Sequence, residues 1–260
     1  MQNKKTHISY SELKDWAHCP HYHKKSWIEK VASFEGNEYT AFGSAIHDVC
    51  EKKLLRENID QEQVFQIGFE KELQKLAAKN VEVNQDNIEQ MRPAGPEILS
   101  EVEEALDSYF GDYEVYSSEE LLYEEIENFG YHFKGFVDAV VKVGDTYHIF
   151  DWKTCSWGWD SRKKAEKLVT YQLTLYKHFF CQKHNLDPEK VETHFALLKR
   201  TAKKNRVEIF RVTSGPKKTE NALKLLYQAI YNIQKGFTIK NKLNCRKPYP
   251  CSLYNTEHCS

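Results

Sequence analysis

The sequence predicts an α/β domain with an N-terminal helical elaboration and a cysteine-containing C-terminal tail. Three observations carry this reading. Residues 10–110 place apolar side chains at helical intervals, and the chain after Gly111 runs in aromatic and β-branched segments that suit strands. No internal repeat or low-complexity segment divides it. The 260 residues, 40% hydrophobic and 13% aromatic, can bury a large core, which excludes a disordered chain. Mean hydropathy is -0.69 and no stretch reaches the roughly 20 apolar residues of a bilayer span.

Taken in order, SYSELKDWAHCPHYHKKSWIEK opens with Ser9 three residues before Glu12, a capping-box spacing, so a helix is expected from about residue 10 with an interruption near Pro20. Phe42, Ile46, Val49 and Leu54 or Leu55 supply the stripe of a second helix over 40–56. Further helices fit 60–79 and 96–110, and the polar stretch AAKNVEVNQDNIEQMRPAG between them reads as a loop. Residues 119–127, YHFKGFVDAVVKV and TYHIFDWKT read as strands, with Gly144-Asp145 as a tight hairpin turn. A long amphipathic helix over 161–184 precedes the strands THFALLKR and RVEIFRV, joined by the basic turn TAKKN. A last helix over 217–235 leads into the tail. The expected organisation is a single domain over 1–260, with a helical cover at 57–112, an α/β core at 113–235 and a tail at 236–260 that pairs with the N-terminal helix.

A net charge of -1 conceals a division. Residues 1–130 carry 13 Lys and Arg against 27 Asp and Glu, a balance of -14, while residues 131–260 carry 24 against 11, a balance of +13. A polyanion would meet the second half, although the two halves could equally pair their charges within the fold. Arg162, Lys163, Lys164, Lys167, Lys199, Arg200, Lys203, Lys204 and Arg206 are the basic clusters that could track phosphates. The N-terminus, MQNKKTHISY, has no secretory h-region, and seven cysteines, an odd number, suit a reducing cytoplasm.

Asp138 interrupts an apolar strand, GFVDAVV, and Asp151 with Lys153 ends the next, IFDWKT. A hairpin can bring the two carboxylates together, and side by side in an apolar setting they require a proton or a divalent cation. Oxygen ligands favour Mg²⁺ or Mn²⁺. Lys153 is two residues beyond Asp151, on the same strand face, where its ammonium could orient an attacking water or neutralise charge on a phosphate. An isolated D-x-K is more often a surface ion pair. Gly43-x-x-x-His47, Gly135-x-x-Asp138, Asp151-Trp152-Lys153-Thr154 and Gln172-x-x-x-Tyr176 follow one another in that order, and Ser9, Ser11, Leu13, Cys19 and Pro20 form S-x-S-x-L-x5-C-P.

In these motifs the sequence resembles the PD-(D/E)XK nuclease superfamily, specifically its RecB-like and AddB-like exonuclease branch, which includes the iron-sulfur nucleases of CRISPR adaptation and phage relatives. The resemblance spans residues 9–259. It implies a restriction-endonuclease-like core, a central mixed sheet flanked by helices, and a metal-dependent DNA exonuclease acting on single-stranded or duplex ends. It implies His47, Asp138, Asp151 and the Trp152 carbonyl as ligands of Mg²⁺ or Mn²⁺, Lys153 as the catalytic lysine, and Gln172 with Tyr176 beside the active site on the DNA strand. Recombination, repair, replication and CRISPR adaptation all use such domains, so partner proteins from those systems are expected. A non-catalytic DNA-binding or assembly module on the same fold is the alternative. Iron-sulfur members fasten their chain ends around a [4Fe-4S] cluster with one distant cysteine and three C-terminal ones, here Cys19 with Cys245, Cys251 and Cys259. Their C-x5-C-x7-C spacing also leaves open a Zn²⁺ site with the same ligands, to which His258 could contribute, or free thiols. Cys50, Cys155 and Cys181 are expected to be packing residues.

Overall fold

The computed structural model describes residues 5–31, 34–245 and 251–259. The elements are β1 (His7–Ser9), α1 (Tyr10–His18), α2 (Pro20–His23), a π turn (Lys24–Ile28), α3 (Glu38–Leu54), α4 (Gln61–Ala78), α5 (Gln85–Leu99) and α6 (Val102–Phe110). Then follow β2 (Glu114–Ile126), β3 (Tyr131–Val143), β4 (Thr146–Cys155), α7 (Ser161–Ala165), α8 (Lys167–His184), β5 (Val191–Lys199), β6 (Val207–Val212) and α9 (Pro216–Lys235). The chain divides into two compact units, one of residues 1–34, 121–135 and 215–260, the other of residues 35–120 and 136–214. β2 and β3 run through both.

In the larger unit β3 and β4 form an antiparallel hairpin from Ala139–Phe150 to Val143–Thr146. β4 lies parallel to β5, with Tyr147 opposite Val191 and Cys155 opposite Lys199, and β6 closes antiparallel on β5. A parallel neighbour requires a crossover, which α8 provides by packing back on β4 and β5. Alternation divides β4: Phe150 and Trp152 join Phe42, Ile46, Phe65, Ile98 and Leu106 of α3 to α6 in one core, while Asp151 meets α8 on the opposite face.

In the smaller unit β1 pairs parallel with residues 132–134 of β3. Ser9 Oγ accepts the Glu12 N–H at 3.2 Å, but the Glu12 carboxylate does not return to complete the box. It is buried and accepts from His23 Nε2 at 2.9 Å and Lys5 Nζ at 2.5 Å. Cys19 is extended, φ -160°, and Pro20 starts α2, the interruption expected there.

Three helix boundaries differ from the sequence expectation. The stretch read as a loop over 77–95 is mostly α5, capped by Asn84, whose Oδ1 accepts the Asn87 N–H at 3.1 Å. Buried Ile88, Met91, Gly95 and Ile98 recur at helical intervals, and they outweigh two interior prolines. Pro96 cannot donate to the Arg92 carbonyl, and Gln66 Nε2 bonds that oxygen instead at 2.9 Å. The helix expected over 96–110 breaks between α5 and α6, where the Glu101 carboxylate accepts the Arg206 N–H at 2.6 Å. The helix expected over 161–184 breaks at extended Glu166, because α7 buries no side chain that would hold it in line with α8. No described helix is long and apolar enough to cross a membrane.

At Gly95 α5 packs directly on the Phe65 ring of α4, since a Cβ there would stand 2.3 Å from two of its ring carbons. That ring is held edge-on to Phe42 and stacked on Phe69, so it has no free side to move to. Gly95→Ala should therefore destabilise the protein by about 1–3 kcal/mol despite the better helix propensity of alanine. Urea unfolding followed by circular dichroism checks this, and an unchanged midpoint would contradict the packing.

Candidate functional site

The antiparallel ladder between β3 and β4 ends at Ala139–Phe150. One step further the register sets Asp138 against Asp151, and there the Trp152 N–H donates to Asp138 Oδ2 at 2.8 Å. Two carboxylates thus face one another at the mouth of the hairpin. α3 brings His47 alongside, Nδ1 3.7 Å from Asp138 Oδ2. It can come this close to β4 because Gly43, one turn earlier, has no side chain: a Cβ there would lie 3.4 Å from Thr154 Oγ1.

From the other sheet face α8 presents Gln172 and Tyr176, one turn apart. Gln172 Nε2 donates to Asp151 Oδ1 at 2.8 Å and lies 3.2 Å from the Tyr176 hydroxyl. Lys153 Nζ stands 2.5 Å from Asp151 Oδ2, yet that oxygen is buried with no aligned hydrogen bond. His47, Asp138, Asp151, Trp152, Lys153, Gln172 and Tyr176, named from the motifs, therefore meet within one unit.

Electrostatics mark the place as short of positive charge. Burial, then Asp151, raises the Asp138 carboxyl well above the usual carboxylate range, and burial also raises Asp151 against the opposing pull of Lys153. Burial works against the Lys153 ammonium, but Asp151 and Asp138 outweigh it and raise its pKa. His47 is pushed down to about 4, by burial and then by Lys153, so its imidazole is neutral and its ring nitrogen can act as a ligand. Burial also raises the Tyr176 hydroxyl, which keeps it protonated.

A further acid was missed in the sequence. Glu119 sits mid-strand in β2 with a left-handed φ of +48°, unusual for a glutamate. Its carboxyl is raised by burial and by Glu51, Asp151 and Asp48. A run of glutamates, SSEELLYEE, does not announce which one faces the acidic centre, and a positive φ leaves no mark at a non-glycine position. The facing carboxylates, short of positive charge even with Lys153 Nζ 2.5 Å from Asp151 Oδ2, fit a hard divalent cation, with His47 as a candidate nitrogen ligand.

The basic clusters divide. Lys164 and Lys199 pair with Glu208, at 2.5 and 3.2 Å, and Arg206 pairs with Glu97, so these are structural. Arg162, Lys163, Lys167, Lys203 and Lys204 are exposed. Beside α7, Trp157 leaves 67% of its surface in solvent.

In the smaller unit Cys19, Cys245, Cys251 and Cys259 line one pocket. The Asn241 N–H points at Cys19 Sγ, 3.4 Å away, and the side-chain amides of Asn241 and Asn244 fasten the tail to the His18 carbonyl at 3.0 and 2.9 Å. Burial and the other three thiols raise the Cys251 pKa, a repulsion that a thiophilic metal would relieve. His258 turns its ring to Glu257, 3.6 Å away, and its carbonyl to His21. Cys50 and Cys181 are buried and Cys155 is partly so.

An acidic centre at the open end of a hairpin, with a lysine and an imidazole beside it, on a mixed sheet between α3–α6 and α8, is the architecture of a metal-dependent nuclease. The sequence profile of the PD-(D/E)XK nuclease superfamily matches residues 7–257, and the chain belongs to that superfamily, hydrolases of nucleic acid that use divalent metals. Its fold is similar to that of a candidate exonuclease from Eubacterium rectale, at 14% identity and TM-score 0.58, over 90% of this chain and 83% of that one. A second structure, SSO0001, is 14% identical over 89% of this chain and 78% of its own, with a TM-score of 0.41. No curated protein matches.

Because the folded state holds the Asp138 proton more tightly than the unfolded chain does, its contribution to stability is greatest below the ordinary value of 3.8 and is lost as pH rises through the raised range. Asp138→Asn keeps an acceptor for the Trp152 N–H and removes the repulsion. In chelator it should melt above wild type, by a margin that widens from pH 4 to pH 7 and closes when Mn²⁺ is added to wild type. A margin that is absent or independent of pH, measured by thermal scans, would contradict this account.

Proposed function

We propose that the chain is a metal-dependent DNA exonuclease of the RecB-like and AddB-like branch, hydrolysing phosphodiester bonds at single-stranded or duplex ends with a metal-activated water. The observation that carries the reading is the opposition of half-buried Asp138 and buried Asp151 with Lys153 Nζ 2.5 Å from Asp151. Asp138, Asp151, His47 and the Trp152 carbonyl would hold Mg²⁺ or Mn²⁺, which when bound supplies charge neutralisation at the phosphate and a lowered water pKa.

The residues of the chain do the rest. Gln172 holds Asp151 by Oδ1, which leaves Oδ2 to Lys153 and the site, and the protonated Tyr176 hydroxyl steadies Gln172 from one turn away. The Lys153 ammonium is aimed where negative charge grows on a phosphoryl oxygen. The Trp152 N–H fixes the Asp138 carboxylate, and the neutral His47 ring closes the α3 side. Exposed Trp157 and the lysines and arginine after it suit an unpaired strand, since an aromatic face stacks a base and cations follow the backbone. Cys19, Cys245, Cys251 and Cys259 would clasp a [4Fe-4S] cluster, with Zn²⁺ as the alternative occupant. Such an enzyme works in recombination, repair, replication or CRISPR adaptation, in the cytoplasm, beside protein partners of those systems.

Cleavage of end-labelled single- and double-stranded DNA under Mg²⁺ or Mn²⁺ tests the reading. Asp151→Ala should abolish cleavage and Lys153→Ala should lower it by about 10²–10³-fold, while both still bind DNA. Variants as active as wild type would overturn the site. A wild type that binds DNA and never cleaves it would point to the non-catalytic module instead. Iron content and visible absorbance of anaerobically purified protein test the cluster. Cys251→Ser should lose both, whereas retained colour would refute the ligand set and zinc without iron would support the alternative.

A further inference from the structure

His148, Glu192 and His194 form a second cluster, apart from the acidic centre. His148 is three residues before Asp151, so strand alternation turns it to the opposite sheet face. β4 and β5 run parallel in a register that sets His148 against Glu192, and His194 follows Glu192 by two residues on the same face. The three ligand atoms lie within reach of one another: His148 Nδ1 to His194 Nε2 is 3.1 Å, and Glu192 Oε2 is 3.8 Å from the first and 3.9 Å from the second. A point equidistant from three atoms so spaced lies about 2.1 Å from each, the length of a zinc–nitrogen or zinc–carboxylate bond.

The surroundings hold the ligands in that arrangement. The Tyr109 hydroxyl lies 3.2 Å from His194 Nδ1; when it accepts that proton, Nε2 turns a lone pair to the cluster. Arg211 binds Glu192 through Oε1 at 2.8 Å, which leaves Oε2 for the two imidazoles. The Phe110 ring packs against both histidines. Glu192, with 24% of its side chain exposed, opens the site to solvent, while the His194 side chain is 2% exposed.

We propose that His148, Glu192 and His194 bind a transition-metal ion of the zinc class, with three protein ligands and a fourth position open to water, on the sheet face opposite Asp151. Two imidazoles and one carboxylate favour a borderline ion such as Zn²⁺ over the Mg²⁺ that an oxygen-rich site takes. Bound there, the ion joins the starts of β4 and β5 beneath the C-terminal end of α6.

The test titrates Zn²⁺ into the metal-stripped full chain against a chromophoric chelator, with Mg²⁺ in excess. Wild type should take up one more equivalent than Glu192→Gln or His148→Gln, and Cys251→Ser should retain that equivalent, which separates it from zinc at the cysteines. Tyr109→Phe should bind it roughly 10–100-fold more weakly. Circular dichroism and melting in chelator establish that the variants fold, and Glu192→Gln, altered at the most exposed ligand, decides if His148→Gln does not. Equal zinc uptake and affinity in wild type, Glu192→Gln and His148→Gln would overturn the site and leave a hydrogen-bonded histidine pair.

Discussion

The repulsion between Asp138 and Asp151 is the constraint around which the larger unit is organised. Their strands pair regularly up to Ala139 and Phe150 and then part, and the ladder's next place is taken by a side chain accepting the Trp152 N–H. Burying both acids is unfavourable unless positive charge or a proton is supplied, and Lys153 supplies only part of it. The same low-dielectric setting that makes the facing acids costly would strengthen the hold on a cation placed between them and on a phosphate beside it. Stability without a cation and affinity for one would therefore oppose each other at one pair of carboxylates.

β4 serves both faces of the sheet at once. Its odd positions, Asp151 and Lys153, belong to the acidic centre, and its even positions, His148, Phe150 and Trp152, belong to the side that α3 to α6 cover. A strand buried on both faces holds its residues rigidly, which suits a centre that needs sub-ångström placement. The cover is acidic on its outside, and its own Glu97 takes up Arg206. Part of the +13 balance of the second half is thereby spent inside the fold, while the exposed cations gather near α7 and the β5–β6 turn.

The most legible elements were those with a strong period and a plain signal at their ends. β3 and β4 could be read within a residue, because two runs of aromatic and β-branched side chains meet at Gly144-Asp145. α5 was not legible: its prolines and polar residues read as a loop, and its helix depends on the Gln66 amide, 26 residues away, taking up the Arg92 carbonyl. The break at Glu166 was hidden for the opposite reason, since helix propensity continues through a place where burial does not.

By itself the sequence determined the order of helices and strands, the four motifs and the distant cysteine with its three C-terminal companions, because each rests on local spacing. Only the tertiary structure decided that Asp151 is buried between Gln172 and Lys153 and that Glu119 is the extra acid. It alone decided that Lys164, Lys199 and Arg206 are structural, and that His148 meets Glu192 and His194. Those outcomes depend on strand register and burial between residues far apart in the chain. Spacing along one strand does not encode its neighbour's register, and a charged side chain shows its partner only once both are packed.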